Sequence, residues 1–267
     1  MHNRVVIITG ASSGIGKALA KEYASKGFNL VIAARRLELL EELKESLSNV
    51  EVLAVKTDVT IESDCKSLVE KTVEKFGRID ILINNAGISM RAATTEVEID
   101  VLRRVMDVNY WGTVQCTRYA LPYLLETKGS LVGIISIGGY VGLPARSGYS
   151  ASKFAVRGFL DSVRVEHRRS GLHVLVAAPG FTSSEIRKYA LTADGSQQGE
   201  TPRNESKMMS AEECARHIYR GVKRRQRKLI LTFIEGKAAV LVAKLWADLV
   251  DGFIYRTFAR EPDSPLK

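Results

Sequence analysis

Short, almost unbroken apolar runs recur along the chain, separated by stretches with helical spacing of apolar residues. Seven runs read as strands: 4–9, 29–34, 51–56, 80–85, 130–136, 173–178 and 228–233. They are rich in β-branched residues, and a run without polar alternation suits a strand covered on both faces. The intervening stretches 14–26, 36–47, 61–76, 97–126, 149–170 and 210–222 read as helices. Strand–helix alternation of this kind predicts an α/β fold with a doubly wound, seven-stranded parallel sheet and helices on both faces. No shift in composition divides the chain, so it reads as one domain, with 1–235 as its body and 236–267 as a C-terminal helix and tail of the same domain. Residues 181–209 are long for a connection, and a segment of that length predicts a lid over a substrate.

Residues 236–260 have the pattern of an amphipathic helix. Lys244, Asp248 and Asp251 share one face, while Leu241, Leu245, Leu249 and Phe253 follow i, i+4 spacing. Packing on the domain or on a partner subunit is the favoured expectation for this face, with peripheral membrane contact as the alternative.

Composition narrows the picture further. A chain of 267 residues can bury one large core. Its three cysteines, Cys65, Cys116 and Cys214, form no CxxC pair, which argues against a zinc site or a disulfide framework and suits a reducing, cytoplasmic setting. His2, His167, His173 and His217 form no ligand cluster, so no metal is expected. The N-terminus lacks a basic segment followed by a long apolar one, and no run of about 18 apolar residues occurs, so neither a signal peptide nor a membrane span is expected. The net charge of +9 has its densest piece at KRRQRK, 223–228. Without zinc-finger spacing or RNA-recognition aromatics, a solvated turn is favoured over a nucleic-acid site, and none is expected. An anionic lipid surface is the better functional alternative for that charge.

The chemistry begins at TGASSGIGK, 9–17, which follows the first strand and opens the first helix. Gly10, Gly14 and Gly16 allow a tight turn, close approach of backbone to a pyrophosphate, and close helix–sheet packing. The helix N-terminus then offers N–H groups to the anion. At the end of the second strand, VIAARRLE has Ala34 where an acid would bind a ribose 2′-hydroxyl, then Arg35 and Arg36. Guanidinium groups suit a phosphate, so NADP(H) is expected over NAD(H), with Arg35 as the main reader and Ser12 or Ser13 helping. In GYSASKF, 148–154, Tyr149 and Lys153 stand one helical turn apart, and a nearby cation lowers a phenol's pKa.

TGASSGIG, NNAG (84–87), VNYWG (108–112), YSASK (149–153) and PG (179–180), in that order and over nearly the whole chain, resemble the short-chain dehydrogenase/reductase family. The resemblance implies a single-domain Rossmann fold and a tetrad. In it Tyr149 is the acid/base, Lys153 binds the cofactor and tunes Tyr149, Ser136 polarises the carbonyl, and Asn109 orders a proton-relay water. Ser136 stands between Ile135 and Ile137, where the family often has two serines. The cofactor positions carried over are Gly10, Ser12, Ser13, Gly14, Ile15 and Gly16 in the turn, with Arg35 and Arg36 beyond the second strand. Asp58 matches the residue near the adenine, and Asn85, Ala86 and Gly87 border the adenosine ribose. Tyr149 and Lys153 also belong to this set. Pro179 and Gly180 precede a hydroxyl for the nicotinamide amide, and either Thr182 or Ser184 fills that place.

The implied activity is NADP(H)-dependent interconversion of a small-molecule ketone and a secondary alcohol. The C-terminal segment and basic run resemble the family's lipid- and steroid-handling branch, which implies carbonyl reduction of an apolar substrate. Family members are commonly dimers or tetramers, so a homo-oligomer is expected. A non-catalytic NADP-binding regulatory protein on the same fold is the alternative, and the complete tetrad argues against it.

Overall fold

The structure, a computed structural model, describes residues 4–201 and 208–266. His2 and positions 202–207 of the expected lid lie outside the described residues. The first apolar run forms β1 (Val5–Thr9), buried at every position. Successive strand residues point to opposite faces, so Val5 and Ile7 enter one core layer while Val6 and Ile8 enter the other. The run is uninterrupted because both faces are covered.

β2 (Asn29–Ala34), β3 (Val52–Lys56), β4 (Ile81–Asn84), β5 (Ser130–Ile134), β6 (His173–Ala178) and β7 (Lys228–Ile230) complete a seven-stranded sheet, ordered β3-β2-β1-β4-β5-β6-β7. All pairs are parallel, and Ile7 stands opposite Val31 on one side and Leu82 on the other. The chain order reverses between β1 and β4, and ligands of open parallel sheets bind beyond the strand ends at such a crossing.

α1 (Gly14–Ala24), α2 (Leu37–Glu45) and α7 (Ala211–Lys223) cover one face through residues such as Leu19, Leu40 and Ile218. α3 (Glu62–Phe76), α5 (Gly112–Glu126) and α6 (Ser147–Glu166) cover the other through Leu68, Leu124 and Leu160. Each such leucine or isoleucine, fully buried, contributes about 1.5–3 kcal/mol. α3 stops at Gly77, whose φ of 69° is left-handed and costs glycine little. Cys65 and Cys116, distant in sequence, meet between α3 and α5 with their sulfurs 3.5 Å apart.

Two expected helices differ from their sequence pattern. The 97–126 stretch divides into α4 (Ile99–Met106), a π-helical turn (Asp107–Trp111) and α5. The expected single helix over 236–260 is instead a π-helical turn (Phe233–Ala238), α8 (Ala239–Leu245) and α9 (Ala247–Ala259). Trp246, at φ −142° and ψ 75°, breaks the hydrogen-bonded path and resets the helical phase. The buried row on α9 is therefore Val250, Ile254 and Phe258, whereas Leu241, Leu249 and Phe253 of the expected apolar row are exposed. The side chains of Lys244 and Leu245 lie outside the described residues. Apolar residues lie on more than one side of this segment, so spacing alone did not decide which row is covered. β7 ends at Ile230 rather than at 233, because Thr232 turns the chain with a φ of 69°.

The basic run is a turn joining α7 to β7, where Arg225 donates to the carbonyls of Lys128 and Gly171. Among the described residues no helix is long and apolar enough to cross a membrane.

Candidate active site

The turn after β1 and the loop after β4 face each other at the crossing point. Thr9 Oγ1 accepts from the backbone N–H groups of Asn85 (3.1 Å) and Ala86 (3.0 Å). Asn85 Nδ2 returns hydrogen bonds to the carbonyls of Thr9 (2.9 Å) and Gly10 (3.2 Å). This interlock explains the need for glycine. Gly10 has a φ of 66°, and a Cβ there would stand 2.8 Å from the Ala86 Cα. A Cβ at Gly16 would stand 2.2 Å from the Gly10 carbonyl oxygen. Gly14, with a φ of 51°, presents its open side to Ser184, 3.3 Å from where a Cβ would lie.

Beyond this turn runs a cleft of about 630 Å³, within the size range of cofactor sites. Gly10, Ser12, Ser13, Gly14 and Ile15 form one wall, and Asn85, Ala86 and Gly87 form another. Gly16 is not in the wall and serves the close packing behind it. Arg35, Arg36 and Asp58 stand at one end. Arg36 is the arginine that reaches the turn, with Nη2 3.1 Å from Ser12 Oγ and 3.3 Å from Ser13 Oγ. Arg35 is exposed. Asp58 Oδ1 accepts from the Thr60 backbone (3.0 Å) and hydroxyl (2.8 Å), fixing the entry to α3. The glycine cradle, the free N-terminus of α1 and the paired arginines together fit a phosphorylated dinucleotide.

The opposite end of the crossing carries the four residues expected to form a tetrad. α6 begins at Ser147, so Tyr149 sits in its first turn and Lys153 one turn on, both aimed at the C-terminal end of β5. Lys153 is buried and donates through Nζ to the Ile134 carbonyl at 2.9 Å. Its Nζ lies 5.7 Å from the Tyr149 ring centroid. Burial alone pulls the Lys153 ammonium down to about 8. Tyr149 is raised above the ordinary phenol value, chiefly by burial. The Ser136 hydroxyl and the charges of Arg146 and Arg187 pull the other way. Burial therefore outweighs the lowering expected from neighbouring charge in the protein alone. The Ser136 hydroxyl also accepts from the Gly138 N–H at 3.2 Å, which fixes the turn after β5.

Asn109 lies within the π-helical turn and is buried. Its Oδ1 accepts from the Ile88 N–H at 2.8 Å, and its Nδ2 donates to the Ile88 carbonyl (3.0 Å) and to Ser152 Oγ (2.8 Å). Ser152 in turn donates to the Tyr149 carbonyl at 2.7 Å. The side chain of Asn109 thus ties the loop after β4 to the first turn of α6. Gly87 makes room for this approach, since a Cβ there would meet Asn109 Oδ1 at 3.1 Å and Lys153 Nζ at 3.3 Å.

A second cavity of about 210 Å³ opens on the far side of Tyr149. Ser136, Tyr149, Lys153, Pro179 and Gly180 line it, and it meets the cleft at Ile15, Asn85, Gly87, Ser184 and Ile186, which border both. Thr182 is buried and turns its hydroxyl to the Gly180 carbonyl at 3.3 Å and to Cys214. Ser184 is the one of the two hydroxyl candidates that borders both cavities. Much of the remaining wall is apolar and comes from distant segments, Phe181 and Ile186, then Phe253, Ile254 and Phe258 of α9, while Arg146 and Arg187 also line it. The described part of the expected lid is pinned, since Leu191 exchanges hydrogen bonds with Ser89 (2.9 Å) and Arg91 (2.8 Å).

Sequence reasoning missed Thr9, Ser152, Arg146 and the α9 side chains. Thr9 and Ser152 stood inside quoted motifs but look like spacers, because their partners lie 76 and 43 residues away. Nothing local marks Phe253 or Phe258 as cavity residues.

Comparison with known proteins agrees with this geometry. A short chain dehydrogenase family model matches residues 4–194. The chain is 37% identical over 266 residues to dehydrogenase/reductase SDR family protein 7-like of Dictyostelium discoideum, covering 96% of this chain and 82% of that one. It is 38% identical over 242 residues to 11-beta-hydroxysteroid dehydrogenase 1A of Arabidopsis thaliana, covering 85% of this chain and 68% of that one. Among solved structures, an alcohol dehydrogenase of the archaeon Thermococcus sibiricus, complexed with 5-hydroxy-NADP, has the same fold. The two align with a TM-score of 0.76 at 24% identity, over 85% of this chain and 95% of that one.

Proposed function

The chain belongs to the short-chain dehydrogenase family, and from that membership we propose that it interconverts an apolar ketone and the corresponding secondary alcohol with NADP(H). It is an oxidoreductase of that family. The observation carrying the specific reading is that Tyr149, Ser136 and Lys153 line one largely apolar cavity that adjoins a dinucleotide-sized cleft.

The nicotinamide cofactor, when bound, supplies or accepts the hydride. Tyr149 gives its proton to the carbonyl oxygen as negative charge develops there, and takes it back in the reverse direction. Ser136 donates to the same oxygen, stabilising its charge in a site with little water. Lys153 holds a cation one turn away and is placed to bind ribose hydroxyls, which fixes the geometry of transfer. Asn109, proposed on family grounds to order a relay water, also positions the catalytic turn through Ser152.

Selection of NADP(H) rests on Arg36, with Arg35 beside it and Ser12 and Ser13 as its partners. An apolar, lipid- or steroid-like substrate is supported by the lining of Phe181, Ile186, Phe253 and Phe258. The relative named as a hydroxysteroid dehydrogenase points the same way. The exposed Leu241, Trp246, Leu249 and Tyr255 offer a face for a second subunit or a lipid surface, the two occupants the sequence suggested.

The test is a panel of steroid and long-chain ketones, and of the matching alcohols, with NADPH, NADH and their oxidised forms. Tyr149→Phe should lower kcat by about a thousandfold, as loss of a general acid does. Its NADPH affinity should stay within about threefold, because the hydroxyl is not needed to hold the nucleotide. Undiminished turnover in that variant would overturn the reading.

A further inference from the structure

The apolar anchorage of α9 is thin. Among its described side chains only Val250, Ile254 and Phe258 are buried, while Leu249, Phe253 and Tyr255 are exposed. Yet this helix supplies Phe253, Ile254, Thr257 and Phe258 to the cavity beside Tyr149. A second hold begins two residues past its end. The side chain of Glu261 is 3% exposed, and its Oε2 lies 2.9 Å from Arg146 Nη2 and 3.5 Å from Arg91 Nε. Arg91 also donates to the Pro262 carbonyl. Ser264 Oγ donates to the Phe258 carbonyl at 2.9 Å, folding the tail back over the helix end.

Arg146 connects this hold to the chemistry. It is the residue immediately before α6, three positions ahead of Tyr149, and it lines the same cavity. Its guanidinium also lies 4.6 Å over the Phe258 ring centroid. One carboxylate thus serves two guanidinium groups that are themselves nearly buried. Removing it takes the shared carboxylate away from two nearly buried guanidinium groups, which costs more than losing a surface pair.

We propose that Glu261 is a positioning residue that, clamped between Arg146 and Arg91, locks α9 to the catalytic helix as a wall of the substrate cavity. It thereby sets affinity for bulky apolar ketones without acting on the cofactor. The consequence for substrate rests on the reaction proposed above, whereas the lock itself does not.

The experiment compares the full chain with Glu261→Ala, Glu261→Gln and Glu261→Asp. Amide hydrogen exchange over 247–259 reports the lock, an NADPH fluorescence titration reports the cofactor cleft, and 2-dodecanone reduction reports the cavity. Exchange over 247–259 should speed up by about tenfold or more in the Ala and Gln variants, and less in Asp, which keeps the charge. KM for 2-dodecanone should rise by about five- to tenfold in Ala and Gln, with kcat within about twofold and NADPH affinity unchanged. Exchange at the wild-type rate overturns the lock. So does a loss of NADPH affinity in step with KM, which marks general loosening. If the wild-type chain reduces no ketone, the proposed reaction fails, and exchange together with NADPH titration still decides the lock.

Discussion

The cleft and the cavity that meet at Asn85, Gly87 and Ser184 are built from different materials. Main-chain groups, glycines and short polar side chains make much of the cleft, drawn mostly from the turns after β1, β2, β3 and β4. Large apolar side chains make much of the cavity, drawn from segments as far apart as Ile134 and Phe258. A backbone cradle tolerates little change, since a Cβ at Gly10 or Gly16 would strike another part of the main chain. A side-chain wall can be recut one residue at a time. The two halves of the site therefore combine a fixed cofactor grip with an adaptable substrate surface, and mutations should separate them.

Lys153→Met strikes beside Gly87, which both share, and should have the largest effect, lowering kcat/KM by about a thousandfold through lost cofactor geometry and charge. It should also stabilise the cofactor-free protein. The Lys153 ammonium falls from 10.5 to about 8 on burial, so below about pH 8 the folded state carries the full cost of a dry charge. Between about 8 and 10.5 the unfolded chain holds this proton more tightly, so stability rises with pH across that window. At neutral pH the methionine variant should gain up to about 3 kcal/mol, read from denaturant unfolding, and should lose the rise above pH 8. A variant no more stable than wild type would break the account of Lys153 as a strained cation.

Gly16→Ala comes next and should act only on the cleft. The added methyl must push aside the Gly10 carbonyl, 2.2 Å from its position. NADPH affinity should fall by about a hundredfold, measured by titration, through displacement of the phosphate cradle. Retained affinity would mean that the turn is more yielding than the interlock with Asn85 implies.

Phe253→Ala should act only on the cavity. The side chain is 56% exposed and lines the wall, so truncation should raise KM for a long-chain ketone by about fivefold while changing stability little. An accompanying loss of NADPH affinity would blur the division between the two halves. Arg36→Ala should be the mildest, weakening NADPH by about threefold relative to NADH through loss of one charge-assisted contact. Arg35→Ala should have a smaller effect, and the reverse order would return the main role to Arg35.

Legibility follows the same division. The glycine turn, the Tyr149–Lys153 spacing and the seven apolar runs were readable because each depends on local chemistry or short periodicity. The choice of Arg36 over Arg35 for contact with Ser12 and Ser13 was not, because it turns on side-chain direction at the end of β2. Thr182 and Ser184 could not be separated either, and burial of the first against Gly180 and Cys214 distinguishes them. The effect of Lys153 on Tyr149 was inferred from proximity, whereas burial governs both groups.

By itself the sequence determined the strand–helix alternation, the both-sides-covered sheet and the places where backbone must approach a phosphate. Period, β-branching and glycine placement act over a few residues, so they survive in a linear string. Tertiary structure alone decided which arginine meets the turn, how Trp246 rephases the last helices, and that Glu261 reaches Arg146 across 115 residues. Contacts of that range depend on how elements pack, and no local periodicity encodes them.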